Sequence, residues 1–228
     1  ARDDFNGDDQ SDIVLRNTMT GVNRLFFTNN AQITNQGNLP NVSLDWALAA
    51  KGDFNGDGFS DLLWRNTNTG VNWVYLMRAG EVLQSTPLNS VSDQNWTVVG
   101  SADFDGNGTD DILWYNKESG LTWLYKLHGN VITSSSRVAQ VSDTHWQIVA
   151  ISDLNGDNKS DILWRHATTG INWVYYMNGS GIAKSVALNR VSDLDWQVIG
   201  SGDLNADGYD DILWWHAGNG QVYSYLMG

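Results

Sequence analysis

Five short stretches of this chain place oxygen-bearing side chains at alternating positions of a tight loop, a spacing suited to holding a hard cation. One stretch runs Asp53-Phe54-Asn55-Gly56-Asp57-Gly58-Phe59-Ser60-Asp61. It offers the side chains of Asp53, Asn55, Asp57 and Asp61 at positions 1, 3, 5 and 9, and the backbone carbonyl of Phe59 at position 7. The same five positions are filled by Asp4, Asn6, Asp8, Gln10 and Asp12, then by Asp103, Asp105, Asn107, Thr109 and Asp111. They return as Asp153, Asn155, Asp157, Lys159 and Asp161, and again as Asp203, Asn205, Asp207, Tyr209 and Asp211. Position 7 varies freely in type, as a backbone ligand permits. Position 6 is Gly58, Gly108 or Gly208, and otherwise Asp9 or Asn158, residue types that tolerate positive φ. Position 9 is Asp throughout and can present both oxygens.

Every candidate ligand is a hard oxygen. Zinc and copper, which favour imidazole and thiolate, fit poorly. Magnesium prefers octahedral sites with retained water, whereas calcium takes six to eight oxygens. Calcium, about one ion per loop, is the expected cofactor. The plain alternative is an acidic turn without metal. Five such turns, each with three mutually repelling carboxylates, argue against it. The EF-hand has a similar spacing, but its Glu at position 12 and its flanking helices have no counterpart here.

The elements that must position these loops repeat with them. Asp12, Asp61, Asp111, Asp161 and Asp211 are spaced by about 50 residues, and Gly21, Gly70, Gly120, Gly170 and Gly220 keep step. So do Trp46, Trp96, Trp146 and Trp196. One unit reads as four strands: Trp46 to Phe54 with small residues, Leu62 to Asn66 after the loop, Asn72 to Met77 alternating at a period of two, and a polar Glu81 to Leu88. No segment of the unit has helical periodicity over ten residues. Four short antiparallel strands per ~50 residues predict an all-β propeller, one domain over 1–228, with repeats at about 1–45, 46–95, 96–145, 146–195 and 196–228. The small-residue strand belongs innermost and the polar strand outermost. By this count the first repeat lacks its inner strand and the fifth its outer one, giving eighteen strands. Ring closure then requires an imperfect seam, a larger ring, or an oligomer in which protomers complete one another.

Composition limits the partners. The chain has 228 residues, 41% of them hydrophobic, with 12 Trp, a globular balance. Its net charge of −13 excludes nucleic acid, which needs clustered Lys and Arg. Five divalent cations would bring that charge to about −3, so the acidity reads as cation sites. There is no long apolar run for a membrane span. No cysteine is present, which removes disulfides and thiolate sites. Millimolar extracellular calcium favours a secreted protein of bacterial type. No signal-peptide pattern opens the sequence, so secretion implies a leader already removed or a chain cut from something longer.

The motif Asp-Phe-Asn-Gly-Asp-Gly-x-x-Asp-Leu-Leu-Trp-Arg-Asn of residues 53–66 resembles the FG-GAP/VCBS repeat of integrin α-subunit propellers, integrin-like lectins and many secreted bacterial proteins. The resemblance covers all five repeats. It implies calcium in the loop between the first and second strands of each blade, held at positions 1, 3, 5, 7 and 9. It says little about the ligand.

Other residues carry weaker signals. Eleven of the twelve Trp fall at repeat-equivalent positions, and packing between blades is their plainest role. Trp215 stands outside that register. The second strands end in Arg65-Asn66, Tyr115-Asn116, Arg165-His166 and Trp215-His216, either a rim of shallow ligand pockets or capped turns. His128, His145, His166 and His216 have no partner at metal or triad spacing, and no nucleophile elbow, P-loop or dinucleotide motif appears. An enzyme is not expected. The expectation is a secreted, calcium-stabilised binding module for carbohydrate, a lectin or an accessory domain of a polysaccharide-active protein. The alternative is an adhesion domain of integrin type with an extracellular protein ligand.

Overall fold

The computed structural model describes residues 3–228. It contains eighteen β-strands and no helix in that range. They form five antiparallel sheets in chain order, each a blade of the expected propeller. Blade 1 is β1 (Ile13–Arg16), β2 (Asn23–Asn29) and β3 (Gln32–Leu39). Blade 2 is β4 (Trp46–Gly52), β5 (Asp61–Asn66), β6 (Val71–Arg78) and β7 (Glu81–Ser90). Blade 3 is β8 (Trp96–Ala102), β9 (Asp111–Asn116), β10 (Leu121–His128) and β11 (Val131–Gln140). Blade 4 is β12 (Trp146–Ser152), β13 (Asp161–His166), β14 (Asn172–Asn178) and β15 (Gly181–Leu188), and blade 5 is β16 (Trp196–Gly202), β17 (Asp211–His216) and β18 (Val222–Tyr225).

The small-residue strands β4, β8, β12 and β16 lie side by side at the centre, as their composition requires. Each pairs with its second strand through a bulge, at Leu48/Ala50, Val98/Gly100, Ile148/Ala150 and Val198/Gly200. A bulge adds a residue to one strand and sharpens local twist.

Among the described residues there is no central core. Four apolar layers each fill one junction between successive blades. Phe5, Leu25 and Leu39 of blade 1 meet Leu62, Trp64 and Met77 of blade 2. Phe54, Leu63 and Val74 meet Ile112, Trp114 and Leu127 at the next junction. Phe104, Leu113 and Leu124 meet Ile162, Trp164 and Met177, and Leu154, Leu163 and Val174 meet Ile212 and Trp214. In blades 2 to 4 one face of the second strand thus packs backwards and the other forwards, which is why both faces are apolar.

The first and last blades keep one face uncovered. Ile13 and Leu15 are 42% and 55% exposed, whereas Leu62 and Trp64 at the same positions of blade 2 are 0% and 1%. At the far end Leu204 is 55% exposed, against 0% for Phe54 and Phe104. A groove of about 1010 Å³ lies along β18, lined by Leu188, Trp214, Tyr223, Tyr225 and Met227, where β7, β11 and β15 lie in blades 2 to 4.

Candidate metal centre and the blade junctions

The five Asp loops sit where each blade turns into its second strand, and their geometry repeats. The position-9 carboxylate is buried in every copy. Asp61 accepts the backbone N–H of Phe54 on Oδ2 at 2.9 Å and that of Met77 on Oδ1 at 2.8 Å. It therefore ties its own loop to the third strand. Asp12 does the same for Phe5 and Thr28, Asp111 for Phe104 and Leu127, Asp161 for Leu154 and Met177, and Asp211 for Leu204 and Met227. Both N–H groups come from residues whose types carry no signal, so the sequence reading found the carboxylate and missed its partners.

Position 1 organises the loop backbone. Asp53 Oδ1 accepts from Asn55, Gly56 and Asp57 at 3.3, 2.6 and 3.2 Å, and Oδ2 from Gly58 at 2.8 Å. Asn55 Oδ1 accepts from Asp57 N, and Asp57 Oδ1 from Phe59 N. These Asx-type bonds curl the chain inward. Position 6 has positive φ in all five loops: 63° at Asp9, 86° at Gly58, 81° at Gly108, 61° at Asn158 and 91° at Gly208. Position 4 does too, and there Ala206 at 61° replaces the Gly of the other four.

The loops are chained together. The position-8 N–H of each donates to the position-1 carbonyl of the loop before: Ser60 to Asp4 at 2.7 Å, Asp110 to Asp53 at 2.7 Å, Ser160 to Asp103 at 2.8 Å and Asp210 to Asp153 at 2.7 Å.

The donor set fits a hard cation. In the third loop, oxygens of Asp103, Asp105 and Asp111 lie within 4.8 Å of one another, and Asp105 Oδ1 is buried with no hydrogen-bond partner. The other Asp105 oxygen is 3.1 Å from Lys126 Nζ. Burial pushes the Asp61 carboxyl up to about 8, with the nearby Asp53 and Asp57 adding to the rise and the two backbone N–H groups opposing it. Burial likewise raises Asp111 and Asp161 to about 7. Sites that hold three carboxylates at such cost gain when a divalent cation joins them. The position-7 side chains point to other tasks. Thr109 Oγ1 donates to Leu127 O at 2.7 Å, Gln10 Oε1 accepts from Asn30 N at 2.6 Å, and the Phe59 ring lies under Arg78.

The rim arginines turn out to be clamps between blades. Arg65 is nearly buried. It donates to Gly70 O and Asn72 Oδ1 within its own blade and to Val91 O in the linker to blade 3, and it lies 5.0 Å over Trp114 of that blade. Arg16 over Trp64 and Arg165 over Trp214 repeat this, each also 5.0 Å from the ring. At Arg65 and Arg165 the side chain caps a turn, and that turn is the inter-blade linker, whereas Tyr115 leaves its hydroxyl without a partner.

His166 and His216 replace Asn66 and Asn116 at the ends of the second strands. His166 Nδ1 receives the turn N–H groups of Thr168 and Thr169, as Asn66 Oδ1 does for Asn68 and Thr69. Nε2 then faces Asp143 at 3.0 Å, and His216 faces Asp193 at 3.1 Å. Asp193, Asp195 and His216 form a second close cluster of metal-ligand types. With Nδ1 accepting a turn N–H, the Nε2 proton is committed to the carboxylate, which suits a capped turn better than a metal ligand. His145 stacks on His166, while Trp215 is half-buried at the Arg65 position of blade 5.

At two junctions the aromatic residues also frame a pocket. Trp46, Trp64, Trp73, Tyr75 and Ser85 line one of about 360 Å³, and Trp96, Trp114, Trp123, Tyr125 and Ser135 line its counterpart of about 230 Å³. Trp73 Nε1 donates to Ser85 Oγ at 2.8 Å and Trp123 Nε1 to Ser135 Oγ at 2.9 Å. The indole N–H groups of Trp64, Trp114, Trp164 and Trp214 are buried without a partner.

No curated protein matches the chain. Among solved structures, a chain in the "Crystal structure of Nidogen/Laminin Complex" shares 10% identity at a TM-score of 0.61, over 94% of this chain and 73% of that one. "Kluyveromyces lactis Hsv2" shares 12% identity at a TM-score of 0.42, over 95% and 69%. At 10% identity the first likeness is one of fold. The sequence itself matches the FG-GAP-like repeat family over residues 53–114 and 153–214. Each match opens on a position-1 Asp and closes on the buried Trp of the next blade, and together they span more than half of the chain, which belongs to the FG-GAP-like repeat family.

Proposed function

We propose that this propeller is a secreted, calcium-stabilised module that binds carbohydrate at its blade junctions. The observation that carries the reading is the repeated aromatic pocket. Half-buried Trp46 and Trp73, and Trp96 and Trp123 one blade on, offer flat apolar faces beside a serine hydroxyl, the pairing of surfaces that a pyranose presents. Similar pockets on neighbouring blades favour multivalent capture of a repeating glycan, where avidity raises weak single-site affinity. The loops would hold calcium and keep the junctions in register, with no part in the chemistry of recognition. We assign no catalytic role to any residue.

A glycan array probed with the intact protein in calcium tests this. Expected is binding that falls at least tenfold in a Trp73→Ala, Trp123→Ala double variant that still folds. An array with no signal, or binding indifferent to both substitutions, contradicts it.

A second reading, a protein-binding module, draws on the exposed apolar faces of blades 1 and 5. The similar propeller comes from a structure titled as a protein complex, which is consistent with it. Partners captured from extracellular extract in the presence of excess glycan would favour this second reading.

A further inference from the structure

Three of the four blade junctions seat an arginine in a cage of oxygens over the next blade's Trp, and the fourth keeps the backbone of that cage but sets the Tyr115 ring, 6.1 Å from Trp164, on the arginine's side of it. Arg16 NH1 donates to Gly21 O at 3.2 Å and Asn23 Oδ1 at 3.0 Å, and NH2 to Val42 O at 3.0 Å and Trp46 O at 2.9 Å. Arg65 reaches Gly70 O, Asn72 Oδ1 and Val91 O at 3.1, 3.3 and 2.8 Å. Arg165 reaches Gly170 O, Asn172 Oδ1 and Val191 O at 3.3, 3.1 and 3.1 Å. Between blades 3 and 4, Tyr115 stands at the arginine position and Thr122 at the asparagine position.

The backbone there follows the same course. Val141 N donates to Gly120 O at 2.9 Å, as Val91 N does to Gly70 O at 2.8 Å and Val191 N to Gly170 O at 2.9 Å. Trp146 N meets Asp143 O at 3.2 Å, matching Trp96 N and Asp93 O at 3.2 Å. A Cβ placed on Gly70, Gly120 or Gly170 would meet the linker valine carbonyl at 2.0, 1.9 and 1.9 Å, so that carbonyl holds one position in all three. The carbonyl oxygens of Gly120 and Val141 therefore converge on the place where a guanidinium sits in the sister junctions. Neither replacement side chain serves them. The Tyr115 hydroxyl and Thr122 Oγ1 are both buried without a hydrogen-bond partner, and Thr122 has no exposed surface.

We propose that this junction binds a monovalent alkali cation at the end of the Tyr115 ring, held by Gly120 O, Val141 O, Thr122 Oγ1 and the Tyr115 hydroxyl oxygen. The same carbonyl set accepts a positive charge at three junctions of this chain, so its field suits a cation. The four oxygens are hard and uncharged, which selects a weakly hydrated monovalent ion over calcium, which draws on carboxylates, or zinc, which draws on nitrogen and sulfur. Backbone carbonyls replace the hydration shell of potassium in this manner in selective channels. The Asp143 carboxylate stands near Tyr115 as Asp93 stands near Arg65 and Asp193 near Arg165, and here it also holds His145 and His166 at 2.8 and 3.0 Å.

Thermal melting at saturating calcium and fixed ionic strength, in potassium, sodium or choline chloride, tests the site. The wild-type protein is expected to melt about 2–4 °C higher in one of the alkali salts than in choline, saturably with its concentration. Tyr115→Arg supplies the missing cation covalently, and is expected to abolish the salt preference and to melt in choline at least as high as wild type does in the alkali salt. Equal wild-type melting in all three salts would mean that water alone fills the cage. An unchanged preference in the variant would place the ion elsewhere. Either result overturns the proposal. Should the variant not fold, wild-type crystals grown in rubidium chloride decide the matter. An anomalous peak between Gly120 O and Val141 O supports the site, and its absence there rejects it.

Discussion

Asp53 and Asp110 hold each other across the boundary between blades 2 and 3. The N–H of Asp110 donates to the carbonyl of Asp53 at 2.7 Å, and the N–H of Asp53 donates to Asp110 Oδ2 at 3.1 Å. Asp153 and Asp210 repeat the pair at 2.7 and 3.2 Å. Each Asp loop is thus fastened to the next as well as to its own blade. Whatever tightens one loop is transmitted to its neighbour, by a two-bond link at Asp110 and Asp210 and by the single backbone bond of Ser60 and Ser160 at the other two boundaries.

Asp110→Ala removes the side-chain half of that link and leaves the backbone half. A loss of about 1 kcal/mol is expected, the usual worth of one hydrogen bond. Hydrogen exchange should show faster exchange of the Asp53 amide with little change at Asp153. Equal acceleration at both amides would contradict a link confined to one boundary.

The arginine clamps make a sharper prediction. Arg65→Met strands the acceptors at Gly70, Asn72 and Val91 and should cost about 2–3 kcal/mol. Arg65→Lys keeps the charge but loses the fork that spans blade and linker, so it should recover less than half of the loss in a denaturant titration. Full recovery by lysine would show that charge alone matters there.

Ala206 occupies a left-handed backbone position where the other four loops have glycine, at φ 61°. Ala206→Gly should therefore stabilise the protein by about 1 kcal/mol, seen as a melting temperature about 2–4 °C higher. The reverse change at Gly56, φ 78°, should destabilise by a similar amount. A lower melting temperature for Ala206→Gly would contradict the strain.

The pH dependence follows from the position-9 carboxyls. Asp61 is raised to about 8 in the fold, and an Asp in an unfolded chain titrates near 3.9. The metal-free fold then carries more protons than the unfolded chain between those values, so its stability falls as pH rises from about 4 to about 8. Calcium needs the ionised form. Its affinity should rise across about pH 6 to 8, with protons released on binding. Calorimetry at pH 6.5 in two buffers of different ionisation enthalpy should give different apparent heats. Identical heats would mean that no proton leaves.

Much of this was legible in the sequence, because repetition multiplies weak signals. The spacing of Asp12, Asp61, Asp111, Asp161 and Asp211 gave period and blade number, and the small residues Ala49, Ala50 and Gly52 marked the inner strand. The limit came where a side chain's partner is backbone. Asp61 shows a carboxylate in sequence, yet its partners are the N–H groups of Phe54 and Met77, which any residue type supplies. Arg65 likewise shows a charge near a rim, while the carbonyls that hold it lie five and 26 residues away. The strand count anticipated the missing inner strand of blade 1 and outer strand of blade 5, but not the bare faces of those blades, which depend on what a neighbouring blade covers.

The central claim is that five Asp loops hold calcium and thereby fasten the blades. Native mass spectrometry of the intact chain across a calcium titration, paired with melting in calcium and in chelator, tests it most directly. The account predicts up to five bound ions and a melting temperature that drops by about 10 °C or more when they are removed. A protein that binds no calcium and melts alike in both conditions would contradict it.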